Sequence, residues 1–91
     1  MIFAIPHDAS PEAAESQHPG VPFTDLRAYI EHKIGAGIEE IAADSPERFH
    51  VIEEEAVRDL AVMSEITGTD RILRLLPGTA DNPECRRLLM L

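Results

Sequence analysis

Three tripeptides constrain this chain more than anything else in it: Ser10-Pro11-Glu12, Ser45-Pro46-Glu47 and Asn82-Pro83-Glu84. In each, the Ser or Asn side chain can accept hydrogen bonds from the open amides of a first helical turn. Proline gives up an amide that would be unpaired there anyway, and its fixed φ suits the helix. The following Glu sits at the positive end of the helix dipole. Three such starts in 91 residues predict a mostly helical chain. They are not an internal repeat, because different residues follow each one.

The longest predicted helix runs over about 46–66. Phe49, Ile52, Ala56, Leu60 and Met63 recur at 3/4 spacing and form one apolar stripe, with Ile66 near its edge and Gly68 as the stop. An earlier helix over about 25–43 follows Thr24 as its cap. Its stripe is Leu26, Ile30, Ile34, Ile38 and Ile41, with Gly37 within it and Gly35 opposite. The Asp44-Ser45-Pro46 connection is short enough to make the two helices antiparallel neighbours.

Beyond Thr69 a short helix is expected through Ile72, Leu73, Leu75 and Leu76, with a stop at Pro77-Gly78. A last helix over 83–90 would bury Cys85, Leu88 and Leu89. Met1–Ile5 reads as extended and needs a partner, either Arg87–Leu91, another subunit or a docking groove. The expected fold is mainly α: a single domain built on a central αα-hairpin. Residues 1–22 form an extended segment and a short helix, 25–66 the hairpin, and 69–91 short C-terminal helices with a slightly basic tail.

Charge narrows the function classes. The formal net charge is −9, from 17 acids and 8 bases. Residues 1–70 hold fifteen of the acids and four of the bases, whereas 71–91 hold Arg71, Arg74, Arg86 and Arg87 against Asp81 and Glu84. Nucleic-acid binding depends on Lys and Arg neutralising phosphates, so direct contact with nucleic acid is not expected. An anionic membrane would repel the chain for the same reason. No apolar run approaches the ~20 residues of a membrane span, and no basic stretch precedes Met1–Ile5 as in a secretory signal, so the expected location is the cytoplasm. Cys85 is the only cysteine, so no internal disulfide and no thiolate zinc site is expected.

Several constellations invite chemistry. Glu47-x-x-His50 and Glu15-x-x-His18 have the spacing of helical carboxylate–imidazole metal pairs. However, Glu47 and His50 leave the apolar stripe, and His18 lies beside Pro19-Gly20, so no metal and no other cofactor is expected. Cys85 falls in the first turn of a helix, where a thiolate is favoured, yet its spacing with Leu88 and Leu89 marks a packed thiol. Glycine-rich phosphate loops and nucleophile elbows are absent, and no catalytic residue is expected. Asp44-Ser45 opening an acidic helix resembles the Asp-Ser pair at which acyl carrier proteins receive their phosphopantetheine arm, and that likeness implies a small helical carrier. The likeness covers only that pair and the acidic helix after it; Pro46 stands where that family has an apolar residue.

The densest acid clusters are Glu39-Glu40 and Glu53-Glu54-Glu55. If the hairpin brings them together, they form one array of carboxylates that can occupy a basic groove. Such a surface gains association rate and specificity. The expected function is therefore a non-enzymatic interaction module. It would act as an inhibitor, using Glu39, Glu40, Glu53, Glu54 and Glu55 to block the basic, nucleic-acid-binding surface of a protein partner. Anti-CRISPR, immunity and antitoxin proteins share this physical profile. The alternative expectations are an assembly subunit docking or homodimerising through its apolar ends, and a small metal-carboxylate or carrier-like protein.

Overall fold

A computed structural model describes all 91 residues. The chain is mainly helical, as expected, but its helices are organised by a small parallel sheet. The strands are β1 (Ile2–Ile5), β2 (Phe23–Asp25) and β3 (Arg71–Arg74), in the spatial order β1-β3-β2. The helices are α1 (Pro11–Gln17), α2 (Leu26–Ile34), α3 (Ile38–Asp44), α4 (Pro46–Thr67) and α5 (Pro83–Leu89), with a 3-10 turn at Thr79–Asp81.

All three Pro-marked helix starts are present with their caps. Ser10 Oγ accepts from the Ala13 amide, and Ser45 Oγ accepts from the Arg48 amide. Asn82 Oδ1 accepts from the amides of Glu84 and Cys85 at 3.0 and 3.2 Å. A single helix over 25–43 does not form. It breaks at Gly35, whose φ of +79° is a left-handed cap that other residues resist. Glu31 then reaches across the break to accept from the Ile38 amide at 2.9 Å, which starts α3. Thr24 is not the cap of α2; it lies in β2, and Asp25 precedes the helix.

The main correction concerns residues 71–76. The expected short helix is instead the central strand, paired in parallel with β1 (Ile2↔Arg71 to Ile5↔Arg74) and with β2 (Phe23↔Ile72 to Asp25↔Arg74). Ile72 and Leu73 are both fully buried because each face of the sheet is covered. β1 thereby finds its partner in its own chain, and this α/β arrangement departs from the all-helical fold that the carrier-protein likeness implies.

The two faces are unequal. Ala4 and Leu73 pack with Leu26, Ile30, Ile38, Ile41, Ala56, Val57 and Leu60, so α2 to α5 form one layer on that face. Phe3, Ile5, Phe23, Asp25, Ile72 and Arg74 point the other way, by the alternation of strand side chains. That side is covered by α1, with Ala14 buried and the rings of Phe3 and His18 stacked at 4.1 Å. The β1→β2 connection crosses in one direction by way of α1. The β2→β3 connection returns through α2 to α4 on the opposite face, as crossovers of a common hand require.

The inward stripe of α4 is rotated from the expected one. Glu53, Ala56, Val57, Leu60 and Ser64 are buried, while Met63 and Ile66 are 43 % and 79 % exposed.

Candidate binding crevice

In parallel α/β sheets, ligands collect beyond the carboxyl ends of the strands, where neighbouring strands send their chains to opposite faces. β1 and β3 are such a pair. After Ile5 the chain turns toward α1, whereas after Arg74 it turns through Leu75–Gly78 toward α5, on the other layer. Between them lies a crevice of about 440 Å³. Its walls are Ala4, Ile5 and Pro6 on one side and Leu75, Leu76, Pro77, Gly78 and Ala80 on the other. Leu91 adds an apolar end, and His7 and Asp81 supply polar groups.

A smaller recess of about 150 Å³ adjoins it, sharing His7, Leu75, Leu76 and Pro77 and adding Asp25, Arg27 and Arg74. Arg74 donates to Asp25 at 3.0 Å, with both side chains about a quarter exposed, and its guanidinium lies 5.8 Å from the centre of the Phe23 ring. Arg27 donates to Glu39 at 2.7 Å, which raises its own pKa and holds the Glu39 carboxyl below the usual range. The Glu12 carboxyl is lowered by a backbone amide and by the Ser10 hydroxyl, with a lesser share from Arg74. The recess thus places two cations among carboxylates that already engage them.

A buried polar knot holds the β3 wall of the crevice. The Glu53 carboxylate, 2 % exposed, accepts from Thr79 Oγ1 at 2.9 Å and from Asn82 Nδ2 at 3.3 Å. Thr79 Oγ1 in turn accepts from the Leu76 amide at 3.1 Å. The amides of Gly78 and Thr79 both donate to the Leu76 carbonyl. The turn from Leu76 to Thr79 is therefore tied through one carboxylate to α4 and to the cap of α5.

This knot corrects the sequence expectation for Glu53, which is internal and structural and cannot face a partner. The other four acids do not gather into one array with it. Glu39 is held by Arg27 beside the recess, and Glu40 is exposed on α3. Glu54 lies toward α5, where its charge contributes to the field at Cys85. Glu55 is exposed on the flank of Lys33, which is itself bound to Asp59. Successive residues on a helix point ~100° apart, so three consecutive acids are spread around α4 by its geometry.

The remaining candidates are placed as follows. His50 Nδ1 lies 3.9 Å from Glu53 Oε1, turned to the knot, while Glu47 sits at the Ser45 cap. No three His, Cys, Asp or Glu side chains converge on a common point. Burial, reinforced by Glu53 and Glu54, pushes the Cys85 thiol up to about 12, the reverse of activation. Ser45 is occupied as a helix cap.

The sequence does not announce the crevice, because the strand that forms it has the pattern expected of a short helix. The available signal was a short segment, Ile72–Leu76, apolar except for Arg74 and bounded by Gly68-Thr69-Asp70 and Pro77-Gly78. No protein-family pattern and no curated protein sequence matches the chain.

Proposed function

We propose that this protein is a non-enzymatic binding domain that takes up a small, largely apolar molecule in the crevice between β1 and β3. The observation that carries this reading is the crevice's position at the point where the two strands diverge, combined with its size. About 440 Å³ falls within the range of small-molecule sites, about 300–1,000 Å³. Apolar walls supply affinity, while His7 and Asp81 offer polar groups to orient the ligand. The only thiol is buried and held protonated, which favours binding over nucleophilic chemistry. The cytoplasm is the proposed setting, in keeping with one free, unpaired cysteine. No helix is long and apolar enough to cross a membrane.

The test is a fragment screen followed by backbone NMR. Binders should shift the amides of Ile5, His7, Leu76, Gly78 and Ala80. Ala80→Trp places a large ring at the exposed rim of the crevice and should abolish those shifts without lowering the melting temperature. Fragments that bind the variant as well as the wild type would sink this reading.

A second reading keeps the acidic interaction surface, because Glu40, Glu54 and Glu55 reach the surface without entering an ion pair. On this reading the partner is a protein with a basic surface, and Glu39 and Glu53 take no part. Converting Glu40, Glu54 and Glu55 to Lys should remove salt-sensitive association with a polyarginine probe. Unchanged association would dismiss it.

A further inference from the structure

Six side chains run in single file along the solvent side of α4: Arg48, Val51, Glu55, Arg58, Val62 and Glu65. Their spacing of 3, 4, 3, 4 and 3 residues is the repeat of a coiled-coil seam. All six are exposed, including Val51 at 52 % and Val62 at 46 %, and they lie opposite the buried stripe of Glu53, Val57, Leu60 and Ser64. An exposed seam with that period is not what core packing demands of α4, since the core uses its other side.

The order along the seam is cation, valine, anion, cation, valine, anion. Turned end for end, the same file sets every cation against an anion and every valine against a valine. Arg48 falls opposite Glu65, Val51 opposite Val62, and Glu55 opposite Arg58. This is the self-complementarity that a two-fold axis requires, with residue i meeting j while j meets i. The stripe also carries no net charge, on a chain whose formal net charge is −9. It is a place where two copies can approach without adding acid to acid.

The charges of the seam are little used within one chain. Arg48, Glu55 and Glu65 are in no ion pair. Arg58 reaches only Glu84, at 3.5 Å, and Arg87 already engages that carboxylate.

We propose that α4 is a dimerisation helix and that its occupant is a second copy of this chain, packed antiparallel. Val51 lies against the partner's Val62, Glu55 pairs with the partner's Arg58, and Arg48 pairs with the partner's Glu65. Ile66 adds apolar cover beside the seam. Two valines per helix give a weak, concentration-dependent dimer. The crevice lies beyond the carboxyl ends of β1 and β3, so this inference stands apart from the ligand-binding reading.

Sedimentation velocity from about 1 μM to about 1 mM should show a shift from monomer to twice its mass. Glu55→Arg and Arg58→Glu each oppose like charges across the axis and should weaken the dimer at least tenfold, with unchanged circular dichroism. Mixing these two variants puts both cations of the 55/58 pairs on one chain and both anions on the other, and should restore association to near the wild-type level. A wild type that stays monomeric through about 1 mM overturns the proposal. So does a dimer indifferent to both reversals, or a mixture no stronger than its components.

Discussion

The Glu53 knot offers the most exacting test of how this fold is held. Thr79→Val keeps the shape of the side chain and removes its hydroxyl. That hydroxyl donates to the Glu53 carboxylate and accepts from the Leu76 amide, and Thr79 is fully buried. Two buried polar groups lose a partner at once. A hydrogen bond to a charged group is worth about 1.5–3 kcal/mol, and a buried amide left open costs about 1–3 kcal/mol. Because Asn82 still donates to Glu53, the lower part of the summed range applies, about 3–4 kcal/mol. Domains of this length have total stabilities of roughly 5–14 kcal/mol, so the loss is a large fraction. Urea unfolding followed by circular dichroism reads it directly. Thr79→Ser is the control, since it keeps the hydroxyl and gives up one methyl group, at about 1 kcal/mol. If Thr79→Val and Thr79→Ser unfold within about 1 kcal/mol of each other, the knot is not a stabilising element and the reasoning fails.

Three further outcomes follow from the same structure. The Cys85 thiol titrates near 12 in the folded chain against 9.0 when unperturbed, so its contribution to stability is complete below pH 9. It is lost as pH rises toward 12, at up to about 1.4 kcal/mol per unit, because the unfolded state ionises first. The urea-derived stability gap between wild type and Cys85→Val should therefore narrow or invert between pH 8 and 11, and a constant gap would contradict the shift. Gly35→Ala forces a side chain into the left-handed cap of α2 and should cost about 1–2 kcal/mol in thermal unfolding; no loss would mean that α2 and α3 readily join. Asn82→Ala removes both the α5 cap and a donor to Glu53, whereas Ser45→Ala removes only a cap worth about 1 kcal/mol. The Asn82 variant should unfold at clearly lower urea, and equal midpoints would argue against coupling of the cap to the knot.

What could be read from the sequence was local. The Ser-Pro-Glu and Asn-Pro-Glu starts carry their own hydrogen-bonding logic, and each one begins a helix where it stands. What escaped was decided by tertiary partners. Ile72 and Leu73 are apolar neighbours, and the Gly68 and Pro77-Gly78 boundaries around them suit a short helix as well as the middle of a sheet. Their strand identity comes from Phe3 and Phe23, far away in sequence. Glu53 misled for a related reason. One acid in a run of three looks solvated until Thr79 and Asn82 arrive from another part of the chain to satisfy it. The crevice depends on both, since β3 forms one wall and the Glu53 knot braces it. The exposed carboxylates were visible as residues, but which of the three consecutive acids turns inward depends on how α4 is rotated against the core.

The position of β3 has a consequence for how the molecule comes into being. β1 and β2 never touch each other; each pairs only with β3, and Ile2 must wait for Arg71. As the chain is synthesised, the first two strands exist for most of its length with nothing to bond to. The helices α2 to α4 can form from neighbouring residues, but the sheet must close late and all together. Such sequence-distant pairing slows folding relative to a bundle of similar size. A nascent chain stopped short of residue 71 would be a set of helices with two orphan strands, and the crevice would arise only once β3 and the turn after it had been made.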